Sequence, residues 1–110
     1  MKIYISGKIT GLPLEEAQAL FQAAEDAIIS SEMFNLTSKA IPINPMKIEH
    51  NHGQSWEEYM REDIYALLGC DAIYMLNNWG ESRGARLEYA IAKEIGLVIS
   101  FEEVKAHAAD

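Results

Sequence analysis

The chain has 110 residues, 49% of them apolar and 24% charged, with a net charge of −8 and a single cysteine. That length and balance suit one globular domain with one core, and they exclude a disulfide framework built within the chain. The negative charge argues against binding long nucleic acids, no apolar run is long enough to span a bilayer, and Met1-Lys2 leads into a strand rather than a signal peptide. A small anionic ligand stays open, because a local set of backbone N–H groups can outweigh global charge. A cytoplasmic location is expected.

In chain order, Lys2 to Ser6 reads as a first strand ending at Gly7, with Gly11 and Pro13 punctuating a loop before a helix. That helix is expected from about Pro13 to Ile29, with Leu14, Ala17, Leu20, Phe21, Ala24 and Ile28 on one apolar face. Ser30 to Lys39 is polar and irregular. Ala40 to Asn44 reads as a second strand stopped by Pro45, and Met46 to Gln54 as a loop. Ser55 and Glu58 then form a capping box ahead of a helix whose buried face is Trp56, Met60, Ile64, Leu67 and Leu68, with Asp63 at its edge.

Ala72 to Leu76 is a short apolar run suited to a strand buried on both faces. Asn77, Asn78 and Gly80 make a turn, and a helix opens near Ser82 and closes at Gly96, with Ala85, Ile91, Ala92 and Ile95 at helical spacing. Glu88 falls on that same stripe, and a carboxylate among core-facing positions is costly unless paired or used. Leu97 to Ser100 reads as a fourth strand, and Phe101 to Asp110 as a short frayed helix or tail.

Alternation of strand and helix predicts one α/β domain over residues 1–110. Its sheet would be parallel and Rossmann-like or flavodoxin-like, of about four to five strands flanked by helices, with ligands at the strands' carboxyl ends. Asp63 and Glu88 would face a pocket there, bordered by Tyr4, Gly7 and Ser82. A carboxylate pair is what glycosyl transfer requires: one attacks the anomeric carbon and the other handles a proton or a sugar hydroxyl. Blander readings stand beside this. Glu88 could reach solvent or pair with Arg86 or Lys93, and Asp63 could pair with Arg61 or Arg86. Gly7 and Gly84 could be turn and packing glycines, and Ser82 only a helix cap. His50 and His52 with Glu49 lack a third ligand in a helical context, so no metal is expected. Trp56 and Trp79 suit either base stacking or core packing, and Cys70 reads as an inert buried thiol.

At these residues the sequence resembles the nucleoside 2-deoxyribosyltransferase superfamily, including its nucleotide N-hydrolase branch, and within it the short bacterial and phage chains beginning MKIYISGxITG. The resemblance runs from Met1 to about Ser100. It rests on Ile3-Tyr4-Ile5-Ser6-Gly7, on Asp63 through Asp71, and on Ser82-Arg-Gly84-Ala-Arg-Leu-Glu88. It implies that Glu88 is the nucleophile at C1′ of a deoxyribosyl unit and that Asp63 is the acid/base or sugar-holding group. Tyr4 would orient Glu88, and Ser82, Gly7 and Gly84 would contact substrate. No cofactor, a nucleoside or nucleotide substrate and a homodimer or higher homo-oligomer are implied with it. The hydrolase branch has serine and arginine after the first glycine where this chain has Lys8 and Thr10; Lys8 would meet a 5′-phosphate as a point charge. No family-like motif lies between Phe101 and Asp110. The alternative is a nucleotide-binding module without chemistry, or an accessory protein of a phage or mobile element with a vestigial pocket.

Overall fold

A computed structural model describes residues 1–32, 34–35, 39–50 and 53–103. Strands and helices alternate: β1 (Lys2–Ser6), α1 (Leu14–Ser30), β2 (Ile41–Ile43), α2 (Trp56–Leu68), β3 (Ala72–Met75), α3 (Arg83–Ile95) and β4 (Val98–Phe101). All four strands are parallel, in the order β2-β1-β3-β4. This is the expected α/β sheet, doubly wound about β1, and no helix among the described residues is long and apolar enough to cross a membrane.

Strand order fixes where the helices go. A right-handed crossover from β1 to β2 runs one way across the sheet, and those from β2 to β3 and β3 to β4 run the other. The helices therefore divide. Phe21, Ala24 and Ile28 of α1 pack with Ile3, Ile5, Ala72 and Leu76 on one face. Leu67 of α2 and Ala85 and Ala92 of α3 pack with Tyr4, Ile73 and Met75 on the other. Successive residues of β1 thus serve two different cores.

Caps and side-chain ties set the boundaries. Ser55 and Glu58 exchange both bonds of the capping box, and Ser82 Oγ accepts from the Ala85 amide at 3.1 Å to open α3. Gly96, at φ 79°, closes α3 in the left-handed region where a glycine costs least. The Asp71 carboxylate accepts from the Lys2 amide at 2.8 Å, tying the starts of β1 and β3, and Asn78 Oδ1 accepts from the Lys8 amide at 2.9 Å, tying their exits.

Several expected boundaries move. The second strand keeps only Ile41–Ile43, because the Ala40 amide donates to Asn35 Oδ1 and Asn44 caps a short 3-10 turn at Pro45–Lys47. Pro13, with ψ 140°, is the extended N-cap residue of α1 rather than part of its first turn. Phe101 belongs to β4, with Glu102 N donating to Met75 O just beyond; the rest of the expected tail helix, residues 104–110, lies outside the described residues. Leu68 and Ile95, expected inside, are half-exposed: Leu68 is turned one residue past buried Leu67, and Ile95 ends its helix. Leu14 is 63% exposed, standing at the rim of the cavity described next.

Candidate active site

A cavity of about 690 Å³ opens beside the carboxyl ends of β1 and β2, between the loop after β1, the loop before α2, and the facing helices α2 and α3. Tyr4, Asp63 and Glu88 all line it, as do Gly7, Ser82 and Gly84. Of the expected site residues only Lys8 is not in its wall; the cation that is there is Arg83.

Glu88 is 5% exposed and is held from β1. Tyr4 Oη donates to its Oε2 and Ser6 Oγ to its Oε1, each at 2.7 Å. Residues 4 and 6 share one face of a strand, and that face is the one α3 covers, so the same geometry that packs the sheet aims both hydroxyls at Glu88. Burial pushes the Glu88 carboxyl up to about 7, against the pull of the two hydroxyl donors and with the nearby Asp63 charge adding to the rise. Burial beside Glu88 lifts the Tyr4 phenol well above its ordinary value, so Tyr4 keeps its proton and serves as donor. Neither Arg86 nor Lys93 pairs with Glu88: the Arg86 guanidinium turns back to donate to Gly80 O at 2.9 Å.

Asp63 sits across the cavity on α2. Its partner is neither Arg61 nor Arg86 but His50, whose Nε2 lies 2.9 Å from Oδ1. Burial raises the Asp63 carboxyl, while the His50 hydrogen bond and charge draw it down. His52, weighed with His50 as a metal ligand, lies outside the described residues. Burial pushes the Cys70 thiol up to about 11, consistent with an unreactive group.

The two glycines mark close approaches. A Cβ at Gly7 would meet Leu76 Cδ1 at 2.6 Å, and one at Gly84 would meet Met60 Sδ at 2.9 Å. Gly84 therefore lets α3 approach α2, and Gly7 lets the chain leave β1 over β3. Ser82 is the N-cap of α3 and also lines the cavity. At the mouth, the Arg83 guanidinium stacks 3.8 Å over the Trp56 ring. Trp79 is instead packed against Tyr89, with ring centroids 4.7 Å apart, and against Phe101.

Ser6 and Arg83 are site residues that sequence reasoning passed over, and His50 was weighed there only as a metal ligand. Ser6 was findable, since it stands two residues from Tyr4 and shares its face. Residues 1–101 match the model of a family described as Domain of unknown function (DUF4406). The chain belongs to this DUF4406 family. No curated protein and no solved structure matches it significantly. In this DUF4406 chain the match ends at the last residue of β4 and takes in every element of the cavity wall.

What the arrangement can do follows from its charges. A buried carboxylate with two neutral donors retains a lone pair on each oxygen, and it faces an open cavity with a second carboxyl and an imidazole opposite. It can attack an electrophilic carbon or stabilise a developing cation.

Proposed function

We propose that this DUF4406 chain cleaves or exchanges the N-glycosidic bond of a 2′-deoxynucleoside or its 5′-monophosphate through a covalent glycosyl–Glu88 intermediate. One observation carries the reading: the Glu88 carboxylate, buried in the cavity wall and fixed by Tyr4 and Ser6 at 2.7 Å each. The resemblance of the three motifs to the deoxyribosyltransferase superfamily supports it.

In the first half-reaction a Glu88 oxygen bonds to C1′ as the C1′–N bond breaks, and the base leaves with a proton from Asp63. In the second, water (hydrolysis) or another base (transfer) attacks C1′, releases Glu88 and returns a proton to Asp63. Tyr4 and Ser6 hold the nucleophile against rotation, and its negative charge favours the oxocarbenium-like transition state. A 5′-phosphate would find the Arg83 guanidinium, the Ser82 hydroxyl and the N-terminal end of α3 at the cavity mouth, all suited to an anion. Lys8, named for that task by the sequence, is not in the wall.

The test is base release from a panel of 2′-deoxynucleosides and their monophosphates, with intact-mass detection of an adduct. Wild type is expected to release base and gain one deoxyribosyl mass, and Glu88→Ala to do neither while keeping its fold. Full activity in Glu88→Ala would sink the assignment. Tight nucleotide binding without base release would mark a binding module.

A further inference from the structure

Asp63 is not a free carboxyl in the cavity wall. The His50 and Asp63 side chains are 15% and 13% exposed, and Nε2 and Oδ1 stand 2.9 Å apart. Among the described residues Asp63 Oδ2 makes no hydrogen bond, and Asp63 lines the cavity. Other titratable groups face the pair from each element packed on it. Glu62 Oε2 is 3.7 Å from the same nitrogen, the Tyr59 ring is centred 4.9 Å from the imidazole, and Glu88 and Tyr4 lie close enough to interact electrostatically with Asp63.

An Nδ1–H imidazole and a carboxylate joined in this way hold one added proton on the line between Nε2 and Oδ1, as an imidazolium, and accept a second on the outer Oδ2. A carboxyl alone, desolvated beside Glu62 and Glu88, would hold its proton without a means of replacing it from a neighbour. Resting on the glycosyl-transfer reading above, we propose that His50 is the positioning residue that makes Asp63 the proton donor to the departing base. Its Nε2 fixes Oδ1, which leaves Oδ2 for the substrate, and its imidazolium refills Asp63.

The protons balance. As Glu88 bonds to C1′, the electron pair of the C1′–N bond passes to the base, which takes the Asp63 proton. The His50 Nε2 proton moves to Asp63 and leaves a neutral imidazole. In the second half-reaction the attacking water or base gives up one proton, which restores the imidazolium. The Asp63 carboxyl, raised by burial and lowered by His50, should then titrate higher when the imidazole is lost.

The experiment compares two substrates. One is 2′-deoxyguanosine 5′-monophosphate, whose base needs a proton to leave; the other is its 7-methyl derivative, whose base leaves neutral without one. Wild type, His50→Gln, Asp63→Asn and the double variant are assayed across pH. Gln retains an N–H donor for Asp63 but cannot carry the proton. His50→Gln is expected to lower kcat on the unmodified substrate by roughly 10²-fold, with KM little changed. The loss should shrink to a few-fold on the 7-methyl substrate, and the double variant should be no worse than Asp63→Asn. A wild-type rate on the unmodified substrate, or equal losses on both, overturns the role of His50 and leaves the transfer reading standing. A wild type inert on these two substrates and on the whole deoxynucleoside and monophosphate panel overturns the transfer reading itself. Side-chain carboxyl NMR titration without substrate needs no turnover: the Asp63 midpoint should move up in His50→Gln, and an unmoved midpoint overturns the pairing.

Discussion

The two faces of the sheet make different use of the same strands. Toward α1, β1 presents Ile3 and Ile5 to Phe21, Ala24 and Ile28, all buried and all apolar. Toward α2 and α3 it presents Tyr4 and Ser6, equally buried, but their hydroxyls end on a carboxylate. One face lowers free energy by removing apolar surface from water. The other removes an ionisable group from water and compensates it only in part with two hydrogen bonds. Both faces bury an apolar core, but only the α2/α3 face also gives some stability up, at Glu88. Such a division is expected of a scaffold that holds a functional group in a state it would not adopt in solvent.

The sharpest way to separate the faces is a pair of substitutions. Glu88→Gln keeps shape and hydrogen-bonding capacity but removes the nucleophile, and turnover should fall by roughly 10⁴-fold or more, measured as base release at saturating substrate. Phe21→Ala, at a side chain with no exposure, should lower unfolding free energy by about 3–5 kcal/mol in denaturant titration. The remaining folded molecules should keep their kcat.

The same Glu88→Gln variant should be more stable than wild type, with a definite pH signature. Folded Glu88 titrates at about 7 against an ordinary 4.5, so the native state binds its proton more tightly than the unfolded chain. Its stability contribution is therefore intact below about 4.5 and is lost as pH rises through 7. Above that window Glu88→Gln should gain up to about 3 kcal/mol over wild type, with no difference near pH 4.5. Equal stability at pH 8 would contradict the buried, desolvated carboxylate. Base release should rise with pH as Glu88 ionises, with its midpoint near 7.

Smaller effects should come from the two site glycines. Gly7→Ala would drive a Cβ into Leu76 Cδ1 and Cβ and should cost about 1–3 kcal/mol. Gly84→Ala meets mainly the flexible end of Met60 and should cost about 1 kcal/mol or less. The order would be read from thermal melts. A larger loss at Gly84 would mean that α2 and α3 are less yielding than Met60 suggests.

The fold was largely legible because its signals are local. Short apolar runs, a capping box and a glycine after the last helical turn each act over a few residues, and parallel topology follows from their alternation. Glu88 was legible for a related reason, being a carboxylate out of place on an apolar stripe. His50 was not, because nothing in a nine-residue loop reading fixes where its side chain lands on α2. The cation in the cavity wall was harder to read. Lys8 adjoins the first glycine in sequence, yet its backbone is tied to Asn78. Arg83 and Arg86 differ by three positions on one helix, and only the cap at Ser82 and the stack on Trp56 determine that Arg83 faces the cavity. Leu14 follows the helical period but stands before α1 has reached the sheet, so periodicity placed it inside when it forms a rim.

The two tryptophans carry a practical consequence. Trp56 lies under a guanidinium at the cavity mouth, whereas Trp79 is locked in an aromatic cluster with Tyr89 and Phe101. An occupant that draws Arg83 off the indole changes the polarity and quenching around one fluorophore and leaves the other as an internal standard. A Trp79→Phe background would isolate that optical signal, so the chain carries its own reporter of occupancy for substrates that bind and never react.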